Sequence, residues 1–527
     1  MTSRTRAPRR TTRRLDLAEY GRHVDGFLAQ VNEATYRQLA GIDEEMGLEA
    51  IYAEHAALFE PAVIDGLRAA VDKDGAEAGE ARAFLAFAVA GNVAAAVADI
   101  TDEVEAAQAR AVVVWRGERI AYRDVWNRAT GIAHRAERNA LARSYYDAVE
   151  AINPLREERF ARMAEAVRAL GYDDAADLIR RTAGFDPVEL AADQRAFLAD
   201  SETSYFAALR RFLAEIDIEQ GDAAKVDLAR ILRGAGWDAW FPARGMLSAL
   251  RGTLAGMGIA LDTQRAITLD VERRERKAPR AFCAPVQVPG DVRLVIQPRG
   301  GWDDYAAVLH EAGHAEHFAH VDPDLPIAFR RLGDNSLTEG YGMLFELLVG
   351  DPGWLSEQVG MPEAEAVAFA DFHAFWQLAG LRQRAAKLLY ELAAHGASDP
   401  GLAREQYAGM VGLSLGVRTA PEEYLAAMDD NLYVARYVRA DMVAGSLAAW
   451  LRARAGDAWW RSADAGEALR RSWSRGQQWD ARDVVAHLGY DRLDWRPVLR
   501  QIRTRLIGEM SGYGGPNITT RAGTRKV

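Results

Sequence analysis

The chain has 527 residues, 49% of them hydrophobic and 27% charged, which is the composition of a globular protein long enough for two or more lobes. Its formal net charge of −11 argues against a nucleic-acid partner, which would need a basic face. No apolar run is long enough to span a bilayer, so no membrane partner is expected, and the single cysteine, Cys283, excludes an internal disulfide and favours the cytoplasm.

The N-terminal half is predicted to be helical. Residues 1–14 hold six arginines and no acid and predict a disordered basic tail. Residues 15–265 form the predicted N-terminal helical region, in which apolar residues recur at three- and four-residue spacing and Gly41 is expected to end the first helix. One stretch differs: Val112 to Tyr122 has two short apolar runs around Arg-Gly-Glu, which predicts a β-hairpin.

A second region, 266–510, begins with a change of pattern. Three short runs rich in apolar and β-branched residues predict a small antiparallel sheet: Ile267 to Glu272, Ala281 to Val286 and Val292 to Ile296. Helical patterns then resume and run to about Gly508, and residues 511–527 predict a disordered end.

The helix after the sheet carries "VLHEAGHAEHFAH", which holds four of the ten histidines of the chain. We expect Asp303 or Asp304 to cap this helix. Residues four apart lie about 40° apart on a helix, so His310 and His314 can present two imidazoles to one ion, with Glu311 beside them. This is the HExxH pattern of zinc peptidases, in which the glutamate acts on a water molecule.

A third protein ligand is needed, and His320 is the first candidate, because the spacing HExxHxxGxxH is that of the metzincins. The glycine that lets the chain leave the helix is replaced by His317, so the helix can continue. His320 would then lie about 15 Å along the axis from His310 and about 80° off its face, out of reach of the same ion.

The second candidate is Glu339. The stretch "GDNSLTEGYGMLFELLVG" predicts a loop, a cap at Asp334, Asn335 or Ser336, and a helix with Glu339 near its start. Glu346 follows seven residues later on the same face. Two carboxylates on an apolar helix each need a cation or a donor, which a zinc ion can supply to Glu339 and a ligand histidine to Glu346.

These residues resemble the thimet oligopeptidase and oligoendopeptidase F family of zinc metallopeptidases. The resemblance rests on the motif HExGHxxH, on Glu339 twenty-five residues after His314, and on Glu346; it covers Ala266 to Gly350. The stretch "EGYGM" departs from the Glu-Ala-Pro-Ser-Gln of the thimet oligopeptidase relatives.

The resemblance implies a mainly α, two-lobed helical zincin with a deep central channel and the small sheet beside the metal helix. It implies one Zn2+ per chain held by His310, His314 and Glu339, and hydrolysis of peptide bonds in short peptides by a zinc-bound water that Glu311 activates. In such proteins the edge of the sheet borders the cleft, so we expect "VRLVI" to be that edge and to pair with an extended substrate.

The resemblance further implies a tyrosine that donates to the oxyanion. Tyr433 and Tyr437 are four apart on a predicted helix, and we favour Tyr437; a purely packing role for both stays open. Cys283 lies in an apolar strand pattern and is expected to be a buried structural residue.

Two other functions stay open. The first is a zinc dipeptidyl- or carboxypeptidase related to angiotensin-converting enzyme or Taq carboxypeptidase, in which Arg436 or Arg439 would hold a free C-terminal carboxylate. The second is a non-catalytic helical peptide-binding protein. A structural zinc site closes all four positions, usually with cysteine, whereas two histidines and one glutamate leave one position open.

Overall fold

The computed structural model describes residues 15–72, 75–396 and 400–506. The two predicted disordered tails, 1–14 and 511–527, lie outside these residues. Within the described residues the fold is mainly helical with two small sheets, as predicted.

The predicted N-terminal helical region, apart from one hairpin, consists of helices. They are α1 (Leu17–Leu39), α2 (Leu48–Glu54), α3 (Pro61–Val71), α4 (Ala76–Ala96), α5 (Ala98–Arg110), α6 (Tyr122–Gly131), α7 (Arg135–Ala169), α8 (Ala175–Thr182), α9 (Pro187–Ala214), α10 (Lys225–Arg233) and α11 (Met246–Gly256). Helix α1 ends two residues before Gly41, which has a φ of 72°. The hairpin is the predicted one: β1 (Val112–Trp115) pairs antiparallel with β2 (Glu118–Ala121).

The second sheet has three strands, β3 (Ile267–Asp270), β4 (Phe282–Gln287) and β5 (Asp291–Val295). Their order is β3-β5-β4, and β3 runs parallel to β5 whereas β4 runs antiparallel to it. The predicted all-antiparallel sheet is therefore wrong. Residues 271–281 carry the chain past one end of β5 to its other side, and Lys277 stabilises this connection by donating to the carbonyl oxygens of Asp270 and Glu272.

The same strand order contradicts the prediction that "VRLVI" is the sheet edge. Strand β5 lies between β3 and β4, so both of its edges already form main-chain hydrogen bonds and cannot accept a peptide. The strand at the edge beside the next helix is β4. The prediction failed because strand order depends on a long connection that a local pattern does not encode.

The C-terminal half is again helical. Its helices are α12 (Trp302–Ala319), α13 (Ile327–Arg331), α14 (Asn335–Glu346), α15 (Pro352–Trp354), α16 (Glu363–Gly396), α17 (Pro400–Leu415), α18 (Val434–Ala455), α19 (Ala463–Trp473), α20 (Ala481–His487) and α21 (Arg496–Leu506).

The starts of α12 and α14 differ in how well they were predicted. Gly301 is the N-cap of α12, and Asp304 instead accepts hydrogen bonds from the main-chain N–H groups of Arg299 and Gly300 in the preceding loop. The predicted cap of α12 at Asp303 or Asp304 is therefore wrong. Helix α14 begins as predicted, with the Asp334 side chain accepting from the N–H of Ser336.

Helices α12 and α14 cross at unusually close range. A Cβ atom at Gly313 would lie 2.6 Å from the carbonyl oxygen of Tyr341, and one at Gly342 would lie 2.9 Å from the ring of His310. Only glycine fits at either position without displacing the neighbouring backbone or the imidazole. The glycines of "HEAGH" and "EGYGM" therefore bring the two predicted ligand helices together.

One large hydrophobic core joins the two predicted regions, with buried members from Tyr20 to Ile502. Two smaller clusters lie around β1, β2, α6 and α7. In the part of the chain that the structure describes, no helix on its own has the length and apolarity to cross a membrane. Only Glu77–Ala96 and Ala98–Arg110, taken together across a bend of 64°, reach that length and apolarity.

Candidate metal centre

Helices α12 and α14 place His310, His314 and Glu339 around one point. The Nε2 atoms of the two imidazoles are 3.0 Å apart, and Oε2 of Glu339 lies 3.5 Å from Nε2 of His310 and 3.8 Å from Nε2 of His314. Among the described residues, these three form the group of histidine, cysteine and acidic side chains that can hold a metal ion. The sequence prediction of a triad from two helices matches this geometry.

The triad is partly exposed, on helices that are otherwise mostly buried. The exposed fractions of the side chains are 18% for His310, 12% for His314 and 14% for Glu339, whereas His317 is fully buried. His320 caps the C-terminal end of α12, where its Nδ1 atom contacts the carbonyl oxygen of Glu316. The helix therefore continues through His317, and the metzincin arrangement is excluded, as predicted.

Each imidazole of the triad is oriented by a partner at its other nitrogen. Nδ1 of His310 lies 2.9 Å from Oε2 of Glu346, and Nδ1 of His314 lies 2.8 Å from the hydroxyl of Thr338. In both rings the Nε2 atom is therefore left to point toward the position that the triad surrounds. Glu346 was predicted in this position, whereas Thr338, the residue before Glu339, was not, because a threonine in a helix carries no distinctive signal.

The electrostatics of the two imidazoles differ. Burial lowers the pKa of His310, but hydrogen bonds with Glu339 and Glu346 outweigh it and raise this pKa to about 10. Burial and the neighbouring His310 hold the pKa of His314 well below its ordinary value. The surrounding carboxylates thus favour a positive charge within the triad, whereas His314 is in the neutral form that binds metals.

Glu311 lies next to the triad and is held by the edge strand. Its Oε2 atom accepts a hydrogen bond of 2.9 Å from the main-chain N–H of Cys283 in β4. Burial raises the pKa of Glu311 to about 7, against the opposing effects of His310 and the Cys283 N–H. A carboxylate of this kind can exchange a proton near neutral pH, as a general base requires.

The thiol of Cys283 is buried, as predicted, although the residue as a whole is partly exposed. Burial, followed by the charge of Glu311, raises the pKa of its thiol well above the ordinary value. Its proximity to Glu311 comes from the strand order, since β4 rather than β5 is the edge strand beside α12.

An ion pair between Arg384 and Asp441 lies near Glu346. Arg384 of α16 forms two hydrogen bonds with Asp441 of α18, of 2.7 and 2.8 Å. The positive charge of Arg384 also helps to lower the pKa of Glu346, after the larger effects of burial, which opposes it, and of His310. Sequence reasoning missed this pair, although a charged residue on a mostly apolar helix such as α16 was an available signal.

Tyr433 and Tyr437 lie near the triad. Their rings are 5.2 Å apart, and Glu339 raises the pKa of both phenols in addition to burial. The hydroxyl of Tyr433 accepts from the side-chain amide of Asn335 at 3.4 Å. No hydrogen bond joins the hydroxyl of Tyr437 to another described residue, so it is free to donate.

The two candidate arginines for a substrate carboxylate have different environments. Arg439 is 4% exposed and paired with Asp334 at 2.7 Å, so it is not available. Arg436 is half-buried, lies over the ring of Tyr433, and forms no ion pair within the described residues.

No model of a known protein family matches the chain, and no curated protein matches it either. The resemblance to the thimet oligopeptidase and oligoendopeptidase F family therefore stays an expectation, carried by the residues between Ala266 and Gly350.

Proposed function

We propose that the protein is a zinc metallopeptidase that hydrolyses peptide bonds in short peptides. The observation that carries this proposal is the partly exposed triad of His310, His314 and Glu339 with the carboxylate of Glu311 beside it. Two imidazoles and one carboxylate leave a fourth position for water or substrate, which is the arrangement of catalytic rather than structural zinc sites.

The spacing of the three side chains fits zinc. Ligand bonds of about 2.1 Å in tetrahedral geometry separate the ligand atoms by about 3.4 Å. The three separations here, 3.0, 3.5 and 3.8 Å, lie around that value. The chemistry of the set agrees as well, because imidazole with a carboxylate suits zinc, whereas magnesium and calcium prefer oxygen ligands alone.

Zinc, when bound, supplies a Lewis acid that polarises a water molecule and the scissile carbonyl group. Glu311 then accepts the proton of that water. Its Oε2 atom is fixed by the N–H of Cys283, and its Oε1 atom forms no hydrogen bond with another described residue. The same carboxyl group passes the proton to the leaving amine. The hydroxyl of Tyr437 is the donor that we assign to the developing oxyanion.

The test combines metal content with peptide cleavage. The purified protein should retain about one zinc per chain after dialysis and should cleave members of a mixed peptide library, as read by mass spectrometry. Glu311→Gln keeps the shape of the side chain but not its basicity, so it should retain zinc and lose turnover by at least about a hundredfold. A protein that neither contains nor binds zinc would contradict the assignment of the triad. Wild-type cleavage by Glu311→Gln would remove Glu311 from the mechanism.

One observation favours a second candidate, a zinc dipeptidyl- or carboxypeptidase. Arg436 has no carboxylate partner among the described residues and lies beside Tyr433, so it can hold the free C-terminal carboxylate of a substrate. The products of a single peptide separate the two functions. An endopeptidase cuts internally, whereas the alternative gives a ladder that shortens from the C-terminus, and blocking that terminus as an amide should abolish it.

A further inference from the structure

The chain is strained just before the two tyrosines. Asn431 and Leu432 have φ angles of 50° and 56°, in the left-handed region that side chains other than glycine rarely adopt. Leu432 is fully buried, and Oδ1 of Asn431 is buried without a hydrogen-bond partner. A conformation with these costs persists only if neighbouring groups stabilise it.

Helix α16 supplies two such contacts to Asp429. The main-chain N–H of Asp429 donates to Oε1 of Glu391 at 2.7 Å, and Nζ of Lys387 donates to Oδ1 of Asp429 at 2.6 Å. Glu391 is fully buried, and burial raises its pKa to about 8 against the opposing effect of Lys387. Glu391 therefore does not need a negative charge to accept the hydrogen bond from the N–H of Asp429, and the side-chain carbonyl oxygen of a glutamine can replace it.

The opposite side of the turn is held by an ion pair and borders a pocket. Arg159 of α7 pairs with the carboxylate of Asp430 at 2.7 and 2.5 Å. An open pocket of about 270 Å³ lies beside this ion pair, lined on one side by Asp429 and Asp430 and on the other by residues of α5 and α7, among them Val104, Phe160 and Met163. Asp429 and Asp430 can thus move toward this pocket unless the polar contacts to α16 and α7 hold them.

We infer that Lys387 and Glu391 are positioning residues, which hold Asp429–Leu432 in this strained turn and so fix Tyr433 and Tyr437 beside Glu339. The inference rests on the proposed function. Tyr433 follows Leu432 directly and precedes α18, so any rotation at the two left-handed residues moves the phenols relative to the triad. Lys387 and Glu391 act through the main chain and carboxylate of Asp429.

The first arm of the test does not depend on catalysis. Hydrogen exchange of the full-length protein should show the amides of residues 429–433 exchanging at least about tenfold faster in Lys387→Met and in Glu391→Leu. Glu391→Gln keeps the acceptor and should match the wild type. Arg503→Met is the control, since it removes a partly exposed ion pair with Asp200, between α9 and α21, that does not contact residues 429–433. Unchanged exchange in both Lys387→Met and Glu391→Leu would overturn the inference.

The second arm measures coupling to the tyrosines. Lys387→Met and Glu391→Leu should lower kcat about tenfold or more with little change in KM, at normal zinc content. In a protein that already carries Tyr433→Phe and Tyr437→Phe, the same changes should have almost no further effect. An equal loss in both backgrounds would overturn the positioning role.

Two controls complete the design. If Lys387→Met does not fold, Asp429→Asn weakens the same ion pair from the other side and takes its place. If the wild type contains zinc but cleaves no peptide, the proposed function fails together with the positioning role. The exchange arm then still decides whether Lys387 and Glu391 hold the turn.

Discussion

His310 and His314 each use Nδ1 for a contact within the protein, so only Nε2 of each ring is left for a metal ion. The partners differ in kind. Glu346 is a carboxylate that favours a proton on Nδ1 and increases the basicity of the ring, whereas Thr338 is a neutral hydroxyl that only orients its ring. If the triad holds a metal ion, the two histidines should therefore contribute unequally, with His310 as the stronger donor.

This division of roles predicts how metal retention responds to two mutations on α14. Glu346→Ala should weaken zinc affinity by about 10- to 100-fold, because it removes the partner of a ligand but not a ligand. Glu339→Ala should weaken affinity by more, since it leaves two protein ligands. Competition with a chromophoric chelator measures both affinities. Equal effects would mean that Glu339 is not a ligand.

Tyr437 and Tyr433 differ in whether their hydroxyl groups are already engaged. The hydroxyl of Tyr433 contacts Asn335, and that of Tyr437 is free. Tyr437→Phe should therefore lower kcat by about a hundredfold while changing KM little, because the lost hydrogen bond strengthens only as charge develops on the carbonyl oxygen. Tyr433→Phe is the internal control and should have a smaller effect. If Tyr433→Phe is the more damaging, the two assignments are reversed.

At the scale of elements, α14 is packed closely on two sides. Gly342 meets the ring of His310 on α12, and a Cβ atom at Gly340 would lie 2.8 Å from the side chain of Val443 on α18. The helix thus links the candidate metal ligands of α12 to the helix that carries Tyr437. This double packing gives a physical reason for "EGYGM" in place of the Glu-Ala-Pro-Ser-Gln of the resembled family.

Asp334 ties the start of α14 to two other helices. Its carboxylate accepts from Arg439 of α18 at 2.7 Å and from the N–H of Ala481 at the start of α20 at 3.1 Å. Burial alone would raise the pKa of Asp334, but Arg439 and the hydrogen bonds from Ser336 and Ala481 lower it to about 2.

The pKa of Asp334 in the folded state lies below its ordinary value, so the charged carboxylate stabilises the protein above about pH 4, and this contribution is lost as the pH falls toward 2. At pH 7, Asp334→Asn should lower the free energy of unfolding by at least about 2 kcal/mol. The difference from the wild type should shrink between pH 4 and pH 2. Urea unfolding of both proteins across this range measures it, and a difference that does not change with pH would contradict the assignment.

At the scale of the whole molecule, the candidate metal centre borders the main hydrophobic core rather than lying on an appended module. Buried members of this core come from α1 near one end of the chain and from α21 near the other. The triad joins α12 to α14, two helices of this core. Metal binding should therefore stabilise the folded chain as a whole, because the unfolded chain cannot assemble the three ligands.

Removal of the metal should accordingly lower the melting temperature. A chelator should decrease Tm of the wild type by at least about 2 °C, and added zinc should restore it. Glu339→Ala should show a much smaller response to the chelator, which separates loss of the bound metal from general effects of the reagent. A wild-type Tm that is insensitive to chelator, in protein shown to have lost its metal, would mean that the site contributes nothing to stability.

Local periodicity in the sequence determined the helical fold, the hairpin over Arg116 and Gly117, and the face that His310 and His314 share. The helix start and the seven-residue spacing also placed Glu339 and Glu346 on one face of the next helix, whereas the assignment of Glu339 as a ligand came from the need for a third ligand and from the family resemblance. These predictions depend on residues within two or three turns of one another, where backbone geometry is nearly fixed.

Only the tertiary structure decided which distant groups meet. The order β3-β5-β4 placed β4 rather than β5 beside α12 and brought the N–H of Cys283 to Glu311. The packing of α18 against the start of α14 pairs Arg439 with Asp334, so Arg439 is no longer a candidate for binding a substrate carboxylate. Such contacts join residues from 28 to 105 positions apart, and they depend on how whole elements pack, which no local pattern encodes.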